Sequence, residues 1–225
     1  MEPLYLHDGG ASLTMHTSHT RRGFTLIELL VVFAIIISIM AVVFTSQGSF
    51  NKTFVLTNTA YDIALTLRNA GTYGLSSRAV GTIANVGYGL HFQNTTPNSF
   101  SFFADTSPAA SCTTPDCKPG NYVYTNGSDS LVRQYVLGNG ITLADFCAFN
   151  GSWSCMSAHP GISGGLTSLD IVFARPNPNP FMSTNGLYSS SITAACLTLS
   201  SGLNTSRYVS VTASGGITVN AASCP

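Results

Sequence analysis

Residues 24–44 form an uninterrupted run of 21 residues without Gly or Pro, whose only polar members are Thr25, Glu28 and Ser38. About 20 such residues, wound as a helix, cross the hydrocarbon core of a bilayer. Arg21 and Arg22 stand directly before the run, and the next basic residue after it is Lys52. The positive-inside bias therefore predicts a single cytoplasmic (inner) membrane span, N-in and C-out, with everything after it outside the cytoplasm. A cleaved secretory signal has an apolar core of only about 7 to 15 residues followed by a small-residue cleavage site. Here the run is longer, and Thr45-Ser46-Gln47-Gly48 offers no such site.

The junction Arg21-Arg22-Gly23-Phe24-Thr25-Leu26-Ile27-Glu28-Leu29-Leu30 resembles the processing site of type IV prepilins and type II secretion pseudopilins. The resemblance implies that a dedicated membrane peptidase cuts between Gly23 and Phe24 and methylates the new Phe24 amine. Residues 1–23 would then be a leader, and the hydrophobic stretch would be kept in the mature chain. Met15 is an alternative start that leaves nine residues before Phe24. The leader histidines His7, His16 and His19 are irregularly spaced and read as unstructured sequence rather than a metal tract.

Removing the leader also removes Glu2, so Glu28 becomes the one glutamate of the mature chain, inside the membrane segment. An ionised carboxylate there costs roughly 2.5 to 3.5 kcal/mol even on lenient insertion scales. The resemblance supplies a partner: the Phe24 amine, of a neighbouring subunit or of the same chain. The plainer alternative is an interfacial residue one turn from the headgroups.

Composition narrows the rest. The 225 residues are enough for one ordinary domain with a core. Only 8% are charged and the net charge is zero, against about 25% charged in an average soluble domain. The mature chain keeps seven scattered cations, Lys52, Arg68, Arg78, Lys118, Arg133, Arg175 and Arg207, where a nucleic-acid binder needs them clustered to displace phosphate counterions. Tyr122, Tyr124 and Tyr135 could stack on bases but suit sheet packing better. Solubility falls to 28 Ser, 25 Thr and 15 Asn, a surface suited to packed assemblies.

Beyond Gly48, the residues Phe54, Tyr61, Ala64, Leu65 and Leu67 recur at helical spacing, which predicts an amphipathic helix to about residue 77. Gly48 costs such a helix about 1 kcal/mol relative to Ala and is a candidate break or bend. Seven segments read as strands, 87–92, 99–103, 131–137, 169–173, 194–199, 207–213 and 216–219, with the last two forming a hairpin through Ala213-Ser214-Gly215-Gly216. Residues 175–180, Arg-Pro-Asn-Pro-Asn-Pro, read as a stiff exposed loop, because proline lacks the ladder donor. In this order, Ala64-Leu65-Thr66-Leu67-Arg68-Asn69-Ala70, Tyr88-Gly89-Leu90-His91-Phe92, Phe102-Phe103-Ala104-Asp105, Leu197-Thr198-Leu199 and Arg207-Tyr208-Val209-Ser210-Val211 resemble successive segments of GspH/FimT-type minor pseudopilins. One departure is Gly215-Gly216, where related proteins often place a basic residue after the first Gly; DNA-uptake members use basic residues near this end.

Six cysteines, Cys112, Cys117, Cys147, Cys155, Cys196 and Cys224, all lie in the second half without a CxxC pair. They read as disulfides formed outside the cytoplasm. Fifteen connectivities exist for six cysteines, and local pairing is expected: Cys112 with Cys117, Cys147 with Cys155 across a Gly-containing loop, and Cys196 with Cys224. Gly161-Ile162-Ser163-Gly164-Gly165 fits GxSxG, but no His follows His159, so an α/β-hydrolase order fails. A trypsin-like order is met formally by His91, Asp129 or Asp145, and Ser163; the plainer reading of 161–165 is a flexible turn. Asp105, Asp116 and Asp129 are loop carboxylates for a possible Ca²⁺ but lack EF-hand spacing.

The expectation is an α+β, pilin-like chain: leader 1–23, transmembrane and assembly helix 24–47, and an outer domain 48–225 in which an amphipathic helix packs on an antiparallel β-sheet. The resemblance implies a non-enzymatic, cofactor-free pilus or pseudopilus subunit that partners other subunits, prepilin peptidase and an inner-membrane platform with its ATPase. A surface adhesin or DNA-uptake minor pilin is the alternative, and a membrane-anchored serine hydrolase a remote one.

Overall fold

The computed structural model describes residues 23–76, 78–108, 120–202, 205–220 and 224. The chain divides into two compact units, Met1–Thr45 and Ser46–Pro225. One helix, α1 (Leu26–Leu75), supplies residues to both. Helical backbone continues at Gly48: one Gly costs about 1 kcal/mol, less than a helix this long gains.

In the first unit α1 has only one kind of surface. Leu26–Phe44 has a mean hydropathy of 3.0 with none of it buried. It is long and apolar enough to cross a membrane. Ser38 turns its hydroxyl back onto the Ala34 carbonyl at 2.7 Å, which satisfies that group within the helix.

In the second unit α1 leads into eleven strands: β1 (Gly87–Gln93), β2 (Ser99–Asp105), β3 (Ser130–Val136), β4 (Thr142–Asn150), β5 (Ser152–Cys155), β6 (Ser168–Ala174), β7 (Asn177–Thr184), β8 (Leu187–Tyr188), β9 (Ala194–Ser200), β10 (Ser206–Thr212) and β11 (Ile217–Asn220). They form two antiparallel sheets rather than one, in the orders β3-β2-β1-β6-β7-β8 and β11-β10-β9-β4-β5. The outer half of α1 buries Leu56, Ala60, Ile63, Ala64, Leu67 and Ala70 in a core shared with Tyr88, Leu90 and Ile171 of the first sheet and Phe146, Leu197 and Val209 of the second. Gly74 permits the close approach at the helix end: a Cβ there would lie 2.0 Å from the Phe173 carbonyl oxygen.

The helical spacing is correct, but its phase is only partly so. Ala64 and Leu67 are buried, whereas Phe54, Tyr61 and Leu65 are all more than half exposed. At 100° per residue, these three share a second apolar stripe roughly opposite the core-facing one. Residues 147–155 form a hairpin, not a loop: Asn150 pairs with Ser152 around Gly151, whose φ is +72°, and Cys147 pairs with Cys155. Residues 177–180 belong to β7 despite their prolines. β8 pairs only with Ser183 and Thr184, so the proline stretch lies at a free edge beside a bulge between Val172 and Ala174. An edge needs no inward-and-outward donor pair.

Candidate processing and assembly site

Gly23, Phe24 and Thr25 precede α1 in a non-helical backbone, and all residues from 23 to 44 are exposed. Uncovered, non-helical backbone is what a peptidase requires at a cleavage site. Thr25 then caps the helix: its Oγ1 accepts the Glu28 amide at 3.3 Å, and its carbonyl accepts the Leu29 amide at 3.2 Å. Thr25 with Glu28 at the third helical position is the first half of a capping box, and a carboxylate in the first turn faces the positive end of the helix dipole. The T-x-x-E pattern before an apolar run carried this signal in the sequence. The cap is taken by the Glu28 backbone amide, and the carboxylate adds only a first-turn negative charge near the helix N-terminus.

The outer unit holds the other residues singled out. Cys147 is bonded to Cys155, and Cys196 to Cys224. The Cys112–Cys117 expectation, with Asp116 and Lys118, lies outside the described residues, as do His7, His16 and His19. Asp145 approaches Cys147 and Cys155 closely enough to suggest a metal cluster, but both sulfurs are spent in their disulfide.

The trypsin-like trio is not assembled. His91 Nδ1 is 2.6 Å from Asp170 Oδ1 and Nε2 is 3.1 Å from Gln93 Oε1, which occupies both ring nitrogens. Asp145 Oδ2 instead holds His159 Nε2 at 2.5 Å. The Ser163 carbonyl accepts the Cys155 amide at 2.8 Å, while the Gly165 amide donates to the Met156 carbonyl at 3.2 Å. The GxSxG segment is therefore tied to the β5 hairpin rather than left loose. Burial pushes the His91 imidazole down, but the hydrogen bond and charge of Asp170 outweigh it and leave the group above its ordinary value. Asp170 is itself raised, because burial costs its charge more than His91 returns. Sequence reasoning passed over Asp170; an acid within the apolar run 169–173 was the available signal.

Asp105 and Asp129 act as loop anchors. Asp105 ends β2 rather than sitting in a loop, and accepts the Asn121 and Tyr122 amides at 3.2 and 2.8 Å. Asp129 accepts those of Thr106, Ser107 and Thr125 at 2.9, 2.8 and 2.7 Å. Burial, only partly offset by the amide of Tyr122, pushes Asp105 up to about 7. These bonds hold Tyr122 at φ +61°, its ring stacked on Phe181 at 3.9 Å.

Several cations are spent internally. Arg68 Nη2 donates to the Ile217 carbonyl and Arg207 Nε to Thr57 Oγ1, both at 3.1 Å, tying α1 to the closing hairpin. Arg78 lies 4.4 Å over the Tyr73 ring and Arg133 lies 4.8 Å over Tyr135.

No curated protein matches the chain, and no solved structure matches it. Residues 18–44 match the prokaryotic N-terminal methylation motif. The chain thus carries the signal of type IV pilin-type prepilins, substrates of prepilin peptidase, at the start of an α+β, pilin-like fold, and that signal points to a membrane-anchored structural protein.

Proposed function

We propose that this protein is a structural, minor pilin or pseudopilin subunit of the GspH/FimT type. In this reading, prepilin peptidase removes residues 1–23 and methylates Phe24. Residues 24–47 anchor the chain N-in and C-out, and residues 48–225 form the extracytoplasmic domain. The observation that carries the reading is Leu26–Phe44, a helix apolar on every side with none of it buried, directly behind the processing junction. A helix hydrophobic all round is stable only inside a membrane or a packed assembly. Extraction from the one into the other is what a pilus or pseudopilus does with its subunits.

The exposed stripe of Phe54, Tyr61 and Leu65 extends the same logic, since it offers neighbouring subunits an apolar face that the fold itself leaves unused. Cleavage would place the new Phe24 amine just before the first turn of α1, which holds Glu28. Pairing of the two neutralises the carboxylate within one chain or between neighbours. The test is mass spectrometry of the N-terminus from cells with and without the peptidase, together with assay of sheared filaments. The expected mature chain begins at methylated Phe24, depends on the peptidase and is present in filaments at low stoichiometry. A chain beginning beyond residue 44 would sink the proposal.

A further inference from the structure

We propose that the outward face of the six-stranded sheet carries a binding site for a neutral saccharide ring. A cavity of about 400 Å³ opens there, lined among others by His91, Gln93, Ser101, Gln134, Tyr124 and Asn126, within the size range of small-molecule sites. Its floor follows from register. His91 of β1 pairs with Ser101 of β2, which pairs with Gln134 of β3, so the three side chains stand in a row on one face. Its wall is the segment 120–129, which brings Tyr124 to 4.7 Å from the His91 ring and 5.0 Å from Phe103.

The lining chemistry selects the ligand class. Amides and hydroxyls each offer donors and acceptors, the mixture that a polyol ring presents in return. Among the described residues, no Lys, Arg, Asp or Glu lines the cavity. Both His91 ring nitrogens are taken by Asp170 and Gln93, so a phosphate, carboxylate or ammonium group would lose its hydration there without gaining a free charged partner. Tyr124 and Leu131 supply the apolar surface on which the C–H face of a sugar rests. An extended peptide binds by adding a strand to a sheet edge, whereas this cavity lies on a sheet face beneath a loop, which favours a compact ring.

The site is also rigid before any ligand arrives. Asp170 and Gln93 fix the His91 ring. Asp105 accepts the amides of Asn121 and Tyr122 at one end of the wall, and Asp129, at its other end, accepts those of Thr125 within the wall and of Thr106 and Ser107 beside it. Burying acids is expensive, and the return here is a polar floor with little ordering left to do on binding. The inference stands whether or not the chain enters a filament.

The test is saturation-transfer NMR on the full-length protein in a detergent without a sugar headgroup. The probes are methyl β-glucoside, methyl β-galactoside and N-acetylglucosamine at millimolar concentration. At least one should receive saturation at its ring protons. Gln134→Ala and Asn126→Ala should each weaken it by about tenfold, the effect of one lost hydrogen bond, while Leu187→Ala, in β8 at the far edge of the sheet, should not. A thermal melt matching the parent protein separates lost contacts from lost fold. The proposal is overturned if none of the three sugars receives saturation or if both cavity variants bind unchanged. It is equally overturned if the neutral peptide N-acetyl-Ala-Asn-Ala-amide binds in the cavity while the sugars do not.

Discussion

The residues Leu26–Phe44 and the unit Ser46–Pro225 solve opposite problems with the same helix. The first exposes every apolar side chain it has, and the second hides Leu56, Ile63 and Leu67 in a core made with its own two sheets. One half is finished as a monomer; the other is finished only by what surrounds it. Changes in the lower segment should therefore act on insertion and assembly, and changes in the outer unit on folding. The sharpest way to break this division is Glu28→Val. Cleavage after Gly23 and membrane insertion should persist, because the substitution makes the segment more apolar. Incorporation into filaments, measured as the ratio of sheared to membrane-bound protein, should fall by at least about tenfold if the carboxylate sets contacts worth more than 1.4 kcal/mol. Equal incorporation would leave the Glu28 carboxylate with only its first-turn position near the helix N-terminus.

A second pair of variants tests the division inside the outer unit, two residues apart. Leu67 is fully buried and Leu65 is 53% exposed. Leu67→Ala should cost about 2 to 5 kcal/mol of stability through lost transfer energy and the cavity left behind. Leu65→Ala should stay within about 0.5 kcal/mol yet lower incorporation into filaments. Thermal unfolding and filament fractionation read the two effects separately. Should Leu65→Ala unfold the domain, the second stripe would belong to the fold and not to assembly.

Legibility in the sequence followed how local each determinant is. The span, the junction at Gly23 and the hairpin from Tyr208 to Val219 were readable because a run, a motif and an alternation around Gly215 are set by neighbours in the chain. The observed pairing of Val209 with Val219 and of Val211 with Ile217 places those alternating residues face to face. β4 was missed because Ala144, Asp145 and Cys147 interrupt its pattern and a bulge shifts its register at Leu143. β7 was missed because proline argues against a strand, and only the short β8 leaves the edge that tolerates it. The phase of α1 was misjudged because two apolar stripes exist, and local sequence does not say which one meets a sheet. An acid in the apolar run 169–173 marked Asp170 as unusual, but its partner His91 was not legible, because their contact, 79 residues apart in sequence, depends on β1 lying beside β6.

The disulfides sharpen the contrast at smaller magnitude. Cys147–Cys155 spans 8 residues and Cys196–Cys224 spans 28. If each acts by limiting the unfolded chain, removing the first should cost about 2.5 kcal/mol and the second about 3.5 kcal/mol. Double serine variants of each pair, compared by denaturant unfolding, check the order. A larger loss at the short loop would mean that the β4–β5 hairpin needs its bridge for native geometry and not merely for chain entropy.

The smallest effect is a slope with pH. Asp105 is fully buried and raised from 3.8 to about 7, so between those values the folded chain binds a proton that the unfolded chain has released. Stability from this group is then fully present below pH 3.8 and is lost progressively as pH rises from there to about 7. His91 and Asp170, both raised, add slopes of the same sign. Between pH 5 and pH 8 the Asp105 contribution should be on the order of 2 kcal/mol. Asp105→Asn removes the titration while keeping one acceptor for the amides of residues 121 and 122, so the variant should lose less stability than the parent over that interval. Chemical unfolding at both pH values decides it. An equal slope in the two proteins would move the origin of the pH dependence to the His91–Asp170 pair, beneath the same loop.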